Sequence, residues 1–433
     1  MGNKVLESLK KFIKRLNVKK LTVIFILMYT IVPIVSRAFS TYLSTYIYMG
    51  IVLITVLYSL VTCHLRDIKT LVFSLIPFIF YEMLDLLFVK GTEDILLSGY
   101  QVLLFLMPLF MGFNMMNNHA DYDLYTAVLV LSFVITAITT IIGCINNPNA
   151  ARVLATTSNS QDPVAIALDW QNVGGFFFSY FAVLMYPLAI IAAKTKRIRF
   201  IFGIGAAVLA ISLAINTAYT MALMTVMFSS VLFFVPANIP PKRFALLFGG
   251  GLLMMVALAP LMVNFLGFVG EMIGNEEMST KMTAVFSGAD AVNDLEDNRM
   301  ELYMTSLTTF IQNPILGTFL SGKMRVGGHS MIFDTLARFG LLGAGLMFMM
   351  YRAIFKNFCR PFRDKPAYSF VIWAFVQCIV MSALNTGMWL DYLCVCMPIV
   401  LCTIYRTDGN ERPEGALAPQ LNLKLFDKKE TTS

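Results

Sequence analysis

Apolar runs alternate with short polar stretches along most of the chain. They fall near residues 21–36, 42–63, 70–88, 95–115, 124–144, 173–193, 200–217, 218–235, 244–266, 331–352, 367–387 and 390–405. A helix needs about 20 apolar residues to cross the hydrocarbon layer, and these runs approach or reach that length. The pattern predicts an all-α polytopic membrane protein with about 12 transmembrane helices. Two stretches interrupt the rhythm, at about 145–172 and about 267–330. Within the second, Asn298–Gln312 reads as a helix apolar on one face, capped by Asp297 or Asn298 and stopped by Asn313-Pro314. It is too polar to span, and it is expected to lie over the outer surface and roof a cavity.

Composition supports a bilayer. Hydrophobic residues make up 58% of the chain and charged residues 14%, too few charges to cover a water-soluble domain of this size. Of the 33 Lys and Arg, 25 fall in segments that share one side if both termini are cytoplasmic, as the positive-inside bias requires. The net charge of +7 is therefore assigned to topology, and nucleic acid is not expected as a partner. Residues 1–20 read as a cytoplasmic basic amphipathic segment, 21–405 as a polytopic membrane domain, and 406–433 as a polar cytoplasmic tail. The one large extracytoplasmic loop lies between the ninth and tenth runs. Seven scattered cysteines form neither a disulfide framework nor a metal spacing, and no cofactor is expected.

Eight cations remain on the outer side, among them Arg37, Arg152, Arg299, Arg325 and Arg338. A guanidinium fork suits phosphate or carboxylate. The same arginines have acids nearby in the long loop, Glu301 included, and surface pairing is the equal alternative. Arg338 lies two turns inside an apolar helix, four residues after Asp334, so the two share a face. His329 follows Gly327-Gly328 at the mouth of that helix and is a candidate base; a helix-capping loop with an incidental histidine is the plainer reading. Glu82 and Asp85 lie three apart near the outer end of the third run, either as a cation site or as partners for an outer arginine.

Asn298-Arg299, Asn313-Pro314-Ile315-Leu316-Gly317, Gly327-Gly328-His329-Ser330 and Phe339-Gly340-Leu341-Leu342-Gly343 occur in that order. The series resembles the signature of the O-antigen polymerase and O-antigen ligase superfamily (Wzy-like and WaaL-like proteins). Ser330, Arg338 and Ala218-Tyr219-Thr220 depart from the pattern often found there. The resemblance implies a membrane glycosyltransferase of polysaccharide and capsule biosynthesis in the cell envelope, its site facing outside. It would polymerise undecaprenyl-pyrophosphate-linked repeat units, with a chain-length regulator and a flippase as candidate partners. By the same resemblance His329 and Arg299 would be catalytic. Arg152, Arg325 and Arg338 would hold the pyrophosphate, and Asp334 or Glu301 would orient His329, with no metal needed. Transfer of a finished glycan by a ligase is the alternative within that chemistry. A twelve-span transporter or lipid flippase is the alternative outside it, favoured by Glu82 and Asp85.

Overall fold

A computed structural model of the chain describes residues 18–42, 45–62, 107–108, 111–112, 121–156, 162–195, 200–217, 219–250, 267–268, 299–318, 326–385 and 390–405. These residues form helices and turns, with no strand among them. The helices that matter here are α1 (Val18–Ile31), α2 (Pro33–Tyr42), α3 (Thr45–Thr62), α4 (Tyr122–Asn146), α5 (Ala150–Thr156), α6 (Pro163–Trp170), α7 (Phe176–Thr195), α8 (Phe200–Asn216), α9 (Thr220–Ser230), α10 (Arg299–Gln312), α11 (Met331–Ile354), α12 (Tyr368–Leu384) and α13 (Met397–Tyr405). The expected basic segment at 1–20 lies almost wholly outside the described residues, and so do Glu82, Asp85, Arg325, most of the 267–330 loop and the tail from 406.

Among the described residues, three helical segments are long and apolar enough to cross a membrane: Tyr122–Asn146, Phe176–Thr195 and Met331–Phe362. The chain is a multi-pass membrane protein. Its lipid-facing surface is visible on α4, where Val130, Leu131, Val134, Ile135, Ile138, Ile142 and Ile145 are exposed while Leu129, Phe133 and Ala137 are buried. An exposed stripe of large aliphatic side chains is stable against acyl chains and costly in water. On α11, Leu341, Leu342, Phe348 and Met349 are exposed likewise.

The expectation of about 12 transmembrane helices is corrected. Among the described residues three qualify, or four if the α1–α2 pair is counted as one broken span. The physical reasons differ from run to run. The 21–36 run is broken at Val32, because Pro33 supplies no N–H and disfavours the α conformation before it; the two helices meet at 105°. The paired runs at 200–235 give α8 and α9, which are too short, and α9 ends in a 3-10 turn at Val231–Phe233. Tyr368–Leu384 and Asp391–Tyr405 are apolar but also short. The runs at 70–88 and 95–115, and most of 244–266, lie largely or wholly outside the described residues.

Helix α7 sits at the centre and packs on α8, α9, α12 and α13. Its buried residues run from Phe178 to Ala193 and face more than one neighbour. Pro187 lies inside it and has no N–H to offer the carbonyl of Val183, one turn earlier. Gln377 of α12 fills that vacancy: its Nε2 donates to the Val183 carbonyl at 3.4 Å, while its Oε1 accepts from Ser229 Oγ of α9 at 3.0 Å. One buried amide thus ties three helices together and satisfies a carbonyl that proline had freed.

A second polar hub lies against the C-terminal half of α4. Asn172, at φ 60°, accepts from Ile34 N at 3.3 Å and donates to Thr136 Oγ1 at 3.2 Å and Thr139 Oγ1 at 3.1 Å. Nearby, Thr140 Oγ1 accepts from Gly174 N at 2.7 Å. Arg37 is a structural residue here, within 3.9 Å of Asp169 on α6. Burial pushes the Asp169 carboxyl above its usual range while Arg37 pulls it down.

Replacing Gln377 by Leu should strand the Val183 carbonyl and Ser229 Oγ and cost roughly 1–3 kcal/mol. Pro187→Ala restores an N–H facing that carbonyl, so the double variant should lose less than the two single losses predict, by at least about 0.5 kcal/mol. Unfolding of the purified protein in mixed micelles reads both. Strictly additive losses would contradict the account.

Candidate functional site

The residues singled out at 298–343 gather on α10, α11 and the turns beside them. Helix α10 forms where an amphipathic stretch begins at Arg299, and it ends at Gln312, just before Asn313-Pro314. The following turn, Asn313 to Thr318, inserts into a break in α11. Gly340 has φ 60° and ψ −156° within that helix, so the amides of Leu341 and Leu342 cannot reach the carbonyls one turn back. They donate instead to Pro314 O at 2.8 Å and Ile315 O at 3.2 Å, and Thr318 N donates to Ala337 O at 3.0 Å.

The fit requires glycine twice. Gly317 has φ 62°, and a Cβ there would run into the backbone of Ala337 to Phe339; a Cβ on Gly340 would run into Ile315 and Gly317. L-residues also adopt that backbone region at a cost of about 1–2 kcal/mol. The pieces N-P-I-L-G and F-G-L-L-G are thus the two halves of one interlock, a turn of backbone seated in a broken helix.

A second constraint orders the loop before α11. Ser330 caps the helix, its Oγ accepting from Phe333 N at 3.1 Å. Asp334 is half-buried, and its carboxylate accepts from Ser306 Oγ at 2.6 Å, Gly328 N at 3.3 Å and Ser330 N at 3.2 Å. Ser306 Oγ in turn accepts from Gly327 N at 2.9 Å. The end of α12 joins the same region: Met331 N donates to Asn385 O at 3.2 Å, and Tyr303 OH donates to Leu384 O at 2.7 Å. Asn385 Nδ2 is buried with no acceptor among the described residues.

Of the expected site residues, the structure brings His329, Asp334 and Arg338 onto one element. His329 is exposed on the capped loop. Arg338 is half-buried two residues before the break, its Cζ 4.6 Å from the centre of the Phe339 ring, a cation–π distance. Arg299 opens α10 and Glu301 is exposed in its first turn. Arg152 lies on the separate helix α5, which packs on α4, α6 and α7. The side chains of Arg299 and Arg152, and all of Arg325, lie outside the described residues. The bonds of the Asp334 carboxylate go to backbone amides and to Ser306. Ser306, Tyr303 and Asn385 were not singled out from the sequence, since nothing local marks a serine on an apolar helix face as a carboxylate's partner.

No protein-family model matches the chain, and no curated protein matches it. The resemblance to the O-antigen polymerase and ligase superfamily is therefore corrected. Its motif pieces have a structural account of their own in the interlock and the capped loop, and the described residues do not carry the many-span scaffold of that family. Repeat-unit polymerisation and the Wzy-type glycosyltransferase assignment fall with it, and so do glycan ligation and the link to capsule synthesis. The transporter or flippase reading leaned on Glu82 and Asp85, outside the described residues. Among the described residues no cluster of three or more His, Cys, Asp or Glu could hold a metal.

Asp334→Ala should release the amides of Gly328 and Ser330, and their hydrogen exchange should quicken at least tenfold, corresponding to about 1.4 kcal/mol of lost protection. Exchange at wild-type rates would show that the carboxylate does not hold the loop.

Proposed function

We propose that this multi-pass membrane protein binds a phosphate-bearing lipid at the outer boundary of the bilayer, through the end of α11 that carries His329 and Arg338. The observation that supports this reading is the position of Arg338: a half-buried arginine in a membrane-spanning helix, beside a helix break locked by a second chain segment. A charge is costly at that depth unless it meets a counter-charge or water, and an intramembrane arginine is a functional candidate for that reason. Its planar fork matches phosphate oxygens in pairs. His329 and the Asn385 amide add donors at the same end, and Arg299 opens the adjoining helix. Glu301, exposed in the first turn of α10, is a further candidate for the rim.

A polyprenyl-pyrophosphate-linked oligosaccharide has the chemistry this site suits, since its anionic group lies at the boundary between acyl chains and water. Binding alone is proposed. The outward orientation is supported by the basic residues at the opposite end of the bundle. There Lys194 Nζ donates to Phe233 O at 2.5 Å, while Ala367 N and Ser369 Oγ of the segment after Arg363 and Lys365 donate to Ala237 O and Ile239 O. Lys194, Lys242, Arg243 and the 352–365 cations thereby come to one face, which the positive-inside bias assigns to the cytoplasm.

The full-length protein in phosphatidylcholine nanodiscs should bind polyprenyl pyrophosphate at least tenfold more tightly than polyprenol. Arg338→Gln should remove most of that preference, about 1.5–3 kcal/mol for charge-assisted bonds, and Arg338→Lys should keep part of it. Equal binding of the two lipids, or an Arg338→Gln protein that discriminates like wild type, would overturn the reading.

A further inference from the structure

At the far end of α11 the helix passes into a π-turn over Phe355–Cys359 and a 3-10 turn over Arg360–Phe362. Phe358, Cys359 and Phe362 are fully buried and anchor this segment. Ala367 N is held by Ala237 O at 3.0 Å, Ser369 Oγ by Ile239 O at 2.6 Å, and Pro366 O accepts from Tyr405 OH. The segment is therefore fixed from three sides. It borders an open cavity of about 410 Å³ lined by Arg352, Phe355, Lys356, Arg360, Arg363 and Tyr368.

Four of the six lining residues are cations and none is an acid. Among the described residues no carboxylate lies within 4.0 Å of any of the four; the four cations are exposed, as is Asp364, whose charge reaches Tyr368 together with those of Arg363 and Arg360. Four like charges around one cavity repel one another, and an anion with two or more negative oxygens relieves that repulsion. Phe355 and Tyr368 are half-buried and give the cavity an apolar wall, which a soluble anion does not need and a lipid does. The volume is in the range of small-molecule sites, and basic pockets between membrane helices on the cytoplasmic side suit anionic head groups.

We infer that this cavity binds a phosphate group, and that its source is the head group of an anionic phospholipid of the inner leaflet or a free phosphate compound of the cytoplasm. Arg352 and Arg360 supply forked donors, Lys356 and Arg363 add charge, and the aromatic wall receives the start of the lipid's glycerol or acyl region. The site is separate from the His329 and Arg338 end and uses none of its residues.

The test uses the full-length protein in neutral detergent, with native mass spectrometry counting retained lipid and calorimetry reading free pyrophosphate. Phosphatidylglycerol should be retained at least tenfold better than phosphatidylcholine. Arg352→Gln with Arg360→Gln should weaken retention about 25-fold, roughly fivefold for each cation lost. Lys242→Gln with Arg243→Gln, on the same face but outside the cavity, should weaken it less than twofold. Binding should also fall as salt rises. If phosphatidylglycerol is bound and pyrophosphate is not, the source is the lipid; if pyrophosphate binds and the same double variant abolishes it, the source is a soluble phosphate. Should the double variant unfold, Arg360→Gln alone must still weaken binding about fivefold. No binding of either probe, or retention unchanged by the cavity variants in a folded protein, overturns the inference.

Discussion

Inside a bilayer every backbone amide and carbonyl must find a partner within the protein, because no water is present to supply one. Most of this structure's unusual features follow from that single constraint. Pro187 frees the Val183 carbonyl in the central helix, and Gln377 answers it. Gly340 frees two amides in α11, and the turn at Pro314 and Ile315 answers them. In both places the repair comes from a distant segment, so a local backbone defect becomes a tertiary bond between helices. The repairs differ in kind: the first uses a side chain and can be varied gradually, whereas the second is backbone on backbone and tolerates only glycine at its closest points.

Helix α11 links this constraint to function. With the π and 3-10 turns that continue it to Phe362 it is the longest candidate span among the described residues, and its two ends have opposite character. One end carries a capped, hydrogen-bonded loop with an exposed histidine, followed by an arginine beside a break. The other carries four cations around a cavity. The break at Gly340 allows the N-terminal part of α11 to take its own direction while the amides of Leu341 and Leu342 stay bonded. Asp334 contributes by removing the freedom of the loop before the helix, since three of its bonds hold residues 306, 328 and 330 together.

The sequence was legible where one residue type carries its own meaning. Apolar runs marked α4, α7 and α11; Asn313-Pro314 marked the end of α10; Gly327 to Ser330 marked the start of α11. Of the basic clusters, the fold brings together the described segments that carry Lys194, Lys242, Arg243 and the 352–365 cations. The run count was not legible, because length alone does not reveal the break at Val32 or the short helices at 200–230 and 368–405. The motif pieces at 298–343 were visible but were given a catalytic meaning, when their glycines and proline are explained by the interlock. What no local pattern could show was pairing across the chain: Ser306 with Asp334, Gln377 with Val183, and Asn172 with Ile34 lie 28, 194 and 138 residues apart. The cavity at 352–368 was half visible, since its cations were counted as topology and not as a site.

The account depends most on α11 crossing the membrane with its glycine loop on the outer side and its cationic cavity on the inner side. Thiol labelling in intact cells tests this directly, with Cys introduced at position 329 or 360 in a Cys63→Ser background; the six described cysteines are buried. A membrane-impermeant maleimide should label His329→Cys in intact cells and Arg360→Cys only after permeabilisation. Labelling of both positions from the same side would contradict the account.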